Sequence, residues 1–479
     1  MPWSDGLTVG TDSYNIASSS NREIRVVAGP GTGKSFAMKR RVARLLEEGI
    51  DPRTILPVTF TRVAAEDLHR ELVTMNVSRC DELQGTTLHS LSLRILMRNH
   101  VLEATGRTPR PLNDFEMKPL EADMKAAHGG TREVRKKLKA YEAAWARLQH
   151  DDPGFEQSRE DEFFSQELVA WMIFHRAMLI GEVIPQLHQY LEANPAAPER
   201  AEYSHILVDE FQDLNRAEQS VIDLLSGIAD ICIVGDDDQS IYSFKHAHPE
   251  GIRDWLSNRP NAEDLSLTEC RRCPTTVVAM ANQLIGRNQL RPTRRALVPD
   301  TRNGAGNVSI IQYTNSDQEI TGIADAIERM VDAGTPPGDI LVLAQRSAIG
   351  TPIYEALVAR SVPARSYYAE AELDVEDAQR RFAILKLLID REDRVALRWL
   401  LGLGSSNWRS PAYARVRDYC AINGVTPWNA LEALRDNHIR LPYTGELIAR
   451  FRAICSELDS LDVTPAFHPA GTRIRRSSN

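Results

Sequence analysis

Three short stretches carry residue types that handle phosphate, metal and water. The first, AGPGTGKS (Ala28–Ser35), sets Gly29, Gly31 and Gly33 ahead of Lys34 and Ser35. A glycine-rich loop lets the backbone wrap closely around phosphates with its N–H groups pointing inward. Ala28, Gly29, Pro30, Gly31, Thr32 and Gly33 would form that cradle, Lys34 would reach the β and γ phosphates, and the Ser35 hydroxyl would hold Mg²⁺. The strict pattern has glycine where this chain has Ala28. The second stretch, VDEFQD, follows an apolar run. Asp209 suits a metal, directly or through water, and Glu210 suits the orientation and deprotonation of an attacking water. Alone, such a pair is also what a solvated acidic turn looks like; beside a phosphate loop it gains weight. The third stretch, VGDDDQSIYSFKHA (Val234–Ala247), joins acids and an amide to two aromatics. Gln239 either touches the γ-phosphate or lytic water, or bonds backbone as an ordinary loop amide. Tyr242 and Phe244 suit flat partners such as bases, or packing between two domains.

These groups need strands and helices to hold them. The β-branched run Ile24–Val27 predicts a strand, and Met38, Val42, Leu45 and Leu46 recur at helix spacing after the glycines. Ile206–Val208 and Ile231–Val234 predict two more buried strands. Three strands thus end in phosphate, metal and water groups, at the carboxyl edge where open α/β sheets bind ligands.

The chain has 479 residues, enough for three or four structural units. An apolar content of 42% and a charged content of 26% are those of a water-soluble globular protein. No apolar run approaches a membrane span, and MPWSDGLTVG lacks the basic start and apolar core of a secretion signal. The six cysteines are scattered, which suits a reducing, cytoplasmic setting. Cys270 and Cys273 form a lone pair without the second pair that zinc needs. A net charge of −9 argues against a wholesale nucleic-acid coat but leaves room for a basic groove. The basic runs TREVRKKLKA and RPTRRAL read as a solvated helix face and a loop. His175 and His188 lie in a stretch of helical apolar spacing and read as polar interruptions of a helical core.

In their order these segments resemble the UvrD/Rep/PcrA branch of superfamily-one DNA helicases. LPVTFTRVAAEDLHREL resembles the segment usually read Thr-Phe-Thr-Asn-Lys-Ala-Ala, and GTTLHSLSLRIL the family's Gly-Thr-Phe-His-Ser. VDEFQD and VGDDDQSIYSF are close to family text, LTECRRCP stands where the family has Asn-Tyr-Arg-Ser, and DILVLAQRSAIGTPIYEALVARSVPAR resembles the opening of the second motor domain. The resemblance covers about residues 5–435. It implies an α/β fold: a RecA-like phosphate-loop motor domain (1–95 and 200–286) with an inserted helical subdomain (96–199). An incomplete second RecA-like domain (287–403), the start of a helical accessory domain (404–464) and a disordered tail (465–479) follow. It also implies an ATP- and Mg²⁺-dependent enzyme that moves 3′ to 5′ on single-stranded or partly duplex DNA. Asp236–Gln239 would then face the nucleotide, with Tyr242 and Phe244 near the strand. Phe60, Arg62 and Arg346 would touch it, and Thr87, His89 and Ser90 would line its track; His89 is equally read as a structural histidine. Arg272 aligns with the γ-phosphate arginine. Repair, replication restart and phage defence are all open.

Four departures qualify the transfer. The segment VGTDSYNIASSSNREIR lacks the glutamine that reads adenine, and Arg271 replaces the adenine-stacking tyrosine. Lys245 stands for an arginine and His246 for a glycine. No Gly-Leu-Glu-Phe-type or Ala-Leu-Thr-Arg-Ala-Lys-type segment follows the accessory helices, so a second arginine finger and a nucleotide-contacting glutamate are missing. NVSIIQY, DILVLA and ARSYY give the second motor domain only three candidate strands. The expectation is a truncated or split chain, with a specialised short paralogue next, whose apolar edges stay exposed or are covered by a second polypeptide. The alternative function is a nucleotide-gated single-strand binder with little turnover.

Overall fold

The computed structural model describes residues 2–59, 61–149, 158–288, 296–366, 373 and 375–461, the Arg62 side chain excepted. Contacts divide the chain into two compact units: residues 1–271, 295–298 and 381–479, and residues 272–294 and 299–380.

The first unit is built on a parallel sheet. Helix α1 (Asp12–Ser18) precedes β1 (Glu23–Ala28); α2 (Lys34–Glu47), β2 (Ile55–Val58), α3 (Arg62–Thr74) and α4 (Leu88–Leu96) follow. Helices α5 (Asn99–Thr105), α6 (Met117–Met124), α7 (Thr131–Ala146), α8 (Arg159–His175) and α9 (Val183–Ala193) come before β3 (His205–Val208). Then come α10 (Arg216–Leu225), β4 (Asp230–Gly235), α11 (Glu250–Asp254) and β5 (Glu263–Leu267). The strand order is β2-β3-β4-β1-β5, and every pairing is parallel. This is the expected α/β architecture, with the three strands predicted at Ile24–Val27, Ile206–Val208 and Ile231–Val234 found to within one residue.

Both faces of the sheet are covered, which is why its strands read as continuous apolar runs. Alternate residues serve the two faces. Ile206, Val208, Ile231 and Ile233 join Leu56 and Val58 against α4, α9 and α10. Leu207, Cys232 and Val234 join Ile24 and Val26 against α2 and α3.

The helices between β2 and β3 have a separate core of Leu120, Leu138, Phe164, Leu168 and Trp171. The stretch of helical apolar spacing from Trp171 to Leu191 spans the end of α8 and most of α9, and Arg176, in the left-handed region at φ 51°, caps α8. His175 is buried between Trp171 and Tyr413, and His188 bonds Ser220 Oγ at 2.9 Å, as a core reading requires. TREVRKKLKA forms the first turns of α7, with a buried side at Val134 and Leu138.

The second unit contains α12 (Thr275–Ile285), α13 (Ser316–Asp332) and α14 (Ser347–Ala359). Neither NVSIIQY nor DILVLA forms a strand here, contrary to expectation. Ile310 is 93% exposed and Leu343 85%. A strand needs a ladder of bonds for its N–H and C=O groups, and among the described residues neither segment joins one. ARSYY and RPTRRAL fall partly outside the described residues, and the C-terminal tail wholly. Helix α15 (Glu376–Ile389) leads back to the first unit. There α16 (Arg394–Gly402), α17 (Ser410–Asn423), α18 (Pro427–Arg435) and α19 (Gly445–Ser460) share one core with Phe115. The contact division therefore falls at 271/272 and 380/381, where the sequence suggested 286/287 and 403/404.

Candidate functional site

Strands β3, β4 and β1 are neighbours, so their carboxyl ends bring three loops together. At the end of β1, Gly31 and Gly33 take φ 70° and 91°, backbone that only glycine adopts without strain. Gly33 caps α2, and no side chain caps the helix's first N–H groups. A helix start of this kind favours an anion. Thr32 is buried, and its hydroxyl donates to the Gly29 carbonyl at 2.7 Å. A Cβ on Gly29 would lie 2.4 Å from Leu297 Cδ2, so a larger residue there would have to displace that side chain. Ala28 belongs to the strand: it is fully buried and pairs with Leu267, where a methyl group fits the core.

Lys34 Nζ lies 2.7 Å from Glu210 Oε2. Glu210 itself sits in the left-handed region at φ 52°. Strain of this kind in a non-glycine residue clusters at functional sites. Asp209 is fixed by its N–H donating to the Val58 carbonyl at 3.0 Å, and its Oδ1 accepts from Glu210 N at 2.9 Å. Burial first, then the Glu210 charge, pushes the Asp209 carboxyl up to about 6 against the pull of Lys34. A divalent cation would relieve that penalty. A carboxylate and a serine hydroxyl are the hard oxygen donors that Mg²⁺ takes together with phosphate and water.

The loop after β4 is tied to both. Asp236 N donates to Gln212 Oε1 at 3.0 Å, and Gln239 Nε2 donates to Asp236 Oδ2 at 2.9 Å and to the Ala28 carbonyl at 3.5 Å. Gln239 thus holds backbone and stands at the start of the phosphate loop, so both of its readings have a basis. The Tyr242 and Phe244 ring centroids are 5.7 Å apart and tilted by 56°, and Phe244 is 71% exposed. Lys245 Nζ lies 5.3 Å from the Tyr242 ring centre. His248 N donates to the Leu214 carbonyl at 2.8 Å, and Gln219 Nε2 donates to the His248 carbonyl at 2.8 Å. The aromatic loop is therefore fastened to the segment that follows Glu210.

His89 Nδ1 stands 3.5 Å from Glu218 Oε1. Burial, then Lys245, lowers the His89 pKa, while burial pushes the Glu218 carboxyl up to about 7. Thr87 and Ser90 line an open groove of about 780 Å³ that Gln84, Arg70 and Arg94 also border. The two arginines escaped the sequence reading, although Arg94 follows Ser90 by one helical turn. Phe60 and the Arg62 side chain lie outside the described residues. Arg271 N donates to the Gly31 carbonyl at 2.9 Å, and its guanidinium pairs with Glu269 at 2.9 Å. Arg272 and Arg346 are exposed and belong to the second unit. Cys270 and Cys273 form no disulfide, and no group of three metal-binding side chains occurs among the described residues.

A family model for the UvrD/REP helicase N-terminal domain matches residues 10–259, more than half of the chain. The chain belongs to this family. The match begins before the phosphate loop and ends beyond the aromatic loop, so the UvrD/REP pattern takes in all three strand ends. DNA helicase II of Haemophilus influenzae is 26% identical over 451 residues, covering 90% of this chain and 61% of that protein. The ATP-dependent DNA helicase UvrD1 of Mycobacterium bovis is 26% identical, with coverages of 90% and 59%. The ATP-dependent DNA helicase PcrA of Staphylococcus aureus is 21% identical, with coverages of 88% and 59%. The chain spans about three-fifths of the length of these curated relatives. No helix among the described residues is long and apolar enough to cross a membrane.

Proposed function

We propose that this UvrD/REP-family chain is an ATP-dependent DNA motor that couples nucleotide turnover to movement on single-stranded DNA, 3′ to 5′ as the resemblance implies. The observation that carries this reading is the junction of phosphate loop, acidic pair and aromatic loop at three adjacent strand ends. Lys34 would neutralise phosphate charge. Ser35 and Asp209 would hold Mg²⁺, which when bound withdraws charge from the β and γ phosphates. Glu210 would take the proton from the attacking water, and Gln239 would touch the γ-phosphate or that water. Arg271 would stack on the base, as a guanidinium can. Arg272 would contribute a bidentate phosphate contact of the kind arginine's planar fork provides. Tyr242 and Phe244 would stack on bases without regard to sequence, which a motor that steps along any strand requires. Thr87, His89 and Ser90, with Phe60, Arg62 and Arg346, would line the path of the strand.

The exposure of Ile310 and Leu343 in the second unit favours a second reading. Further strands, from a second polypeptide, would cover them. Until then the chain would bind single strands under nucleotide control and turn over slowly. Phosphate release with and without oligo(dT) separates the two. DNA-stimulated release that disappears in Lys34→Ala and Glu210→Gln supports the motor; nucleotide-dependent DNA affinity with background release supports the gated binder. A DNA affinity indifferent to nucleotide sinks both.

A further inference from the structure

Gln212 lies two residues beyond the acidic pair and was given no role by its spacing. It is 1% exposed, and its amide spans two strand ends. Nε2 donates to Glu210 Oε2 at 3.0 Å, while Oε1 accepts from Asp236 N at 3.0 Å. Those partners fix the amide's orientation. Turned over, the oxygen would face a carboxylate and the NH₂ an N–H group, so neither bond would survive. The Gln212 backbone carbonyl also accepts from Ser240 Oγ at 3.3 Å. One residue therefore grips the loop before Tyr242 at two points while holding the carboxylate expected to activate water. The fold makes room for it: a Cβ on Gly235 would fall 2.3 Å from Gln212 Oε1.

We propose that Gln212 is a positioning residue that links the Glu210 carboxylate to the aromatic loop, so that nucleotide and single-stranded DNA sense each other through its amide. This role rests on the motor reading above. The physical requirement is a rigid relay. A buried amide with both ends satisfied has one arrangement, since releasing either end would strand a buried polar group. A shift of Glu210 when phosphate competes for Lys34 must therefore be followed by Asp236 and Ser240, or the amide loses a bond. Through them it reaches Tyr242 and Phe244.

The test is the affinity of the full chain for fluorescein-labelled oligo(dT), with and without Mg²⁺ and a β,γ-imido ATP analogue. Allosteric couplings of this kind are typically about 5–150-fold. Gln212→Met keeps the length and removes both bonds. Gln212→Glu keeps the acceptor towards Asp236 N and replaces the donor towards Glu210 with a second carboxylate oxygen. Both variants should reduce the wild-type nucleotide effect on DNA affinity to under about 2-fold; Gln212→Met should melt within a few degrees of wild type, and Gln212→Glu lower, because its carboxylate faces that of Glu210. Should Gln212→Met unfold, Gln212→Glu decides, because it retains the fold-side bond. Wild-type coupling in a folded Gln212→Glu chain overturns the role of Gln212 alone. An absence of coupling in the wild type overturns the motor reading, and this role with it.

Discussion

The Lys34 ammonium and the Glu210 carboxylate, 176 residues apart in sequence, meet at 2.7 Å. The pair joins the group expected to bind phosphate to the group expected to activate water. Because Lys34 is mostly buried, its charge is screened little by solvent. Any phosphate that draws Lys34 away must therefore do so against Glu210. Lys34→Ala should weaken nucleotide binding at least about tenfold, the loss of one charged hydrogen bond of about 1.5–3 kcal/mol. Glu210→Gln frees the lysine, so nucleotide should bind as tightly as in wild type or more so, while phosphate release falls by about 10²-fold or more. Titration calorimetry and a phosphate-release assay read the two effects separately. Weaker nucleotide binding in Glu210→Gln would show that the ion pair does not compete with phosphate.

Phe244 presents an unusually exposed ring for its size, held beside Tyr242 on a loop that is fastened to the Glu210 segment. Phe244→Ala should weaken oligo(dT) binding by about 1–3 kcal/mol, one stacked base. Wild-type affinity should also fall as salt rises, because strand phosphates release counterions to the protein. Arg94→Ala, in the groove with Thr87 and Ser90, should lower that salt slope by roughly one charge. Fluorescence anisotropy across a salt series tests both. A Phe244→Ala chain with unchanged affinity would return the ring to a packing role.

His246 occupies a backbone site at φ 62°, in the left-handed region that favours glycine. A left-handed conformation strains a side-chain-bearing residue by about 1–2 kcal/mol. Glycine would remove that strain, at the expense of about 0.4–1 kcal/mol from its more flexible unfolded chain. It would also lose the 3.4 Å contact between His246 Nδ1 and the Arg147 guanidinium. The net effect of His246→Gly should be a small stabilisation, under about 1 kcal/mol. His246→Val, branched at Cβ, should be clearly destabilising. Urea melts of the three chains should rank glycine at or above histidine, and valine last.

What the sequence made legible was local. Ala28–Ser35, Asp209 and Glu210 could be placed because a strand, a turn and a helix start each leave a short-range pattern. Ala28 looked anomalous only because the pattern counts it as loop, whereas it is the last residue of a strand. Gln212 was invisible: its meaning depends on Asp236, 24 residues away, and on which end of an amide faces which partner. Residues 307–313 misled for the same reason. Their alternation suits a strand, but pairing is non-local, and they join no sheet among the described residues. The break after α8 turned on one residue, Arg176, whose left-handed backbone no periodicity announces.

The helical part of the first unit carries its own pH dependence. His175 stacks on Trp171 at 3.8 Å between ring centres. Its Nδ1 donates to the Trp171 carbonyl at 2.8 Å, which leaves Nε2 to accept from the Tyr413 hydroxyl at 3.2 Å. That arrangement needs a neutral ring, and burial drives the His175 pKa down to about 3. The unfolded chain, with an ordinary histidine, takes up the proton far more readily. Stability from this group is therefore complete above about pH 6.5 and is lost as pH falls towards 3, by up to about 1.4 kcal/mol per pH unit. His175→Phe keeps a flat ring beside Trp171 and cannot titrate. It should start less stable at pH 7.5, because the Trp171 carbonyl and the Tyr413 hydroxyl lose their partner. It should then lose less on acidification, so that the two melting curves converge between pH 7.5 and 5. Parallel curves would show that another group governs acid unfolding of these helices.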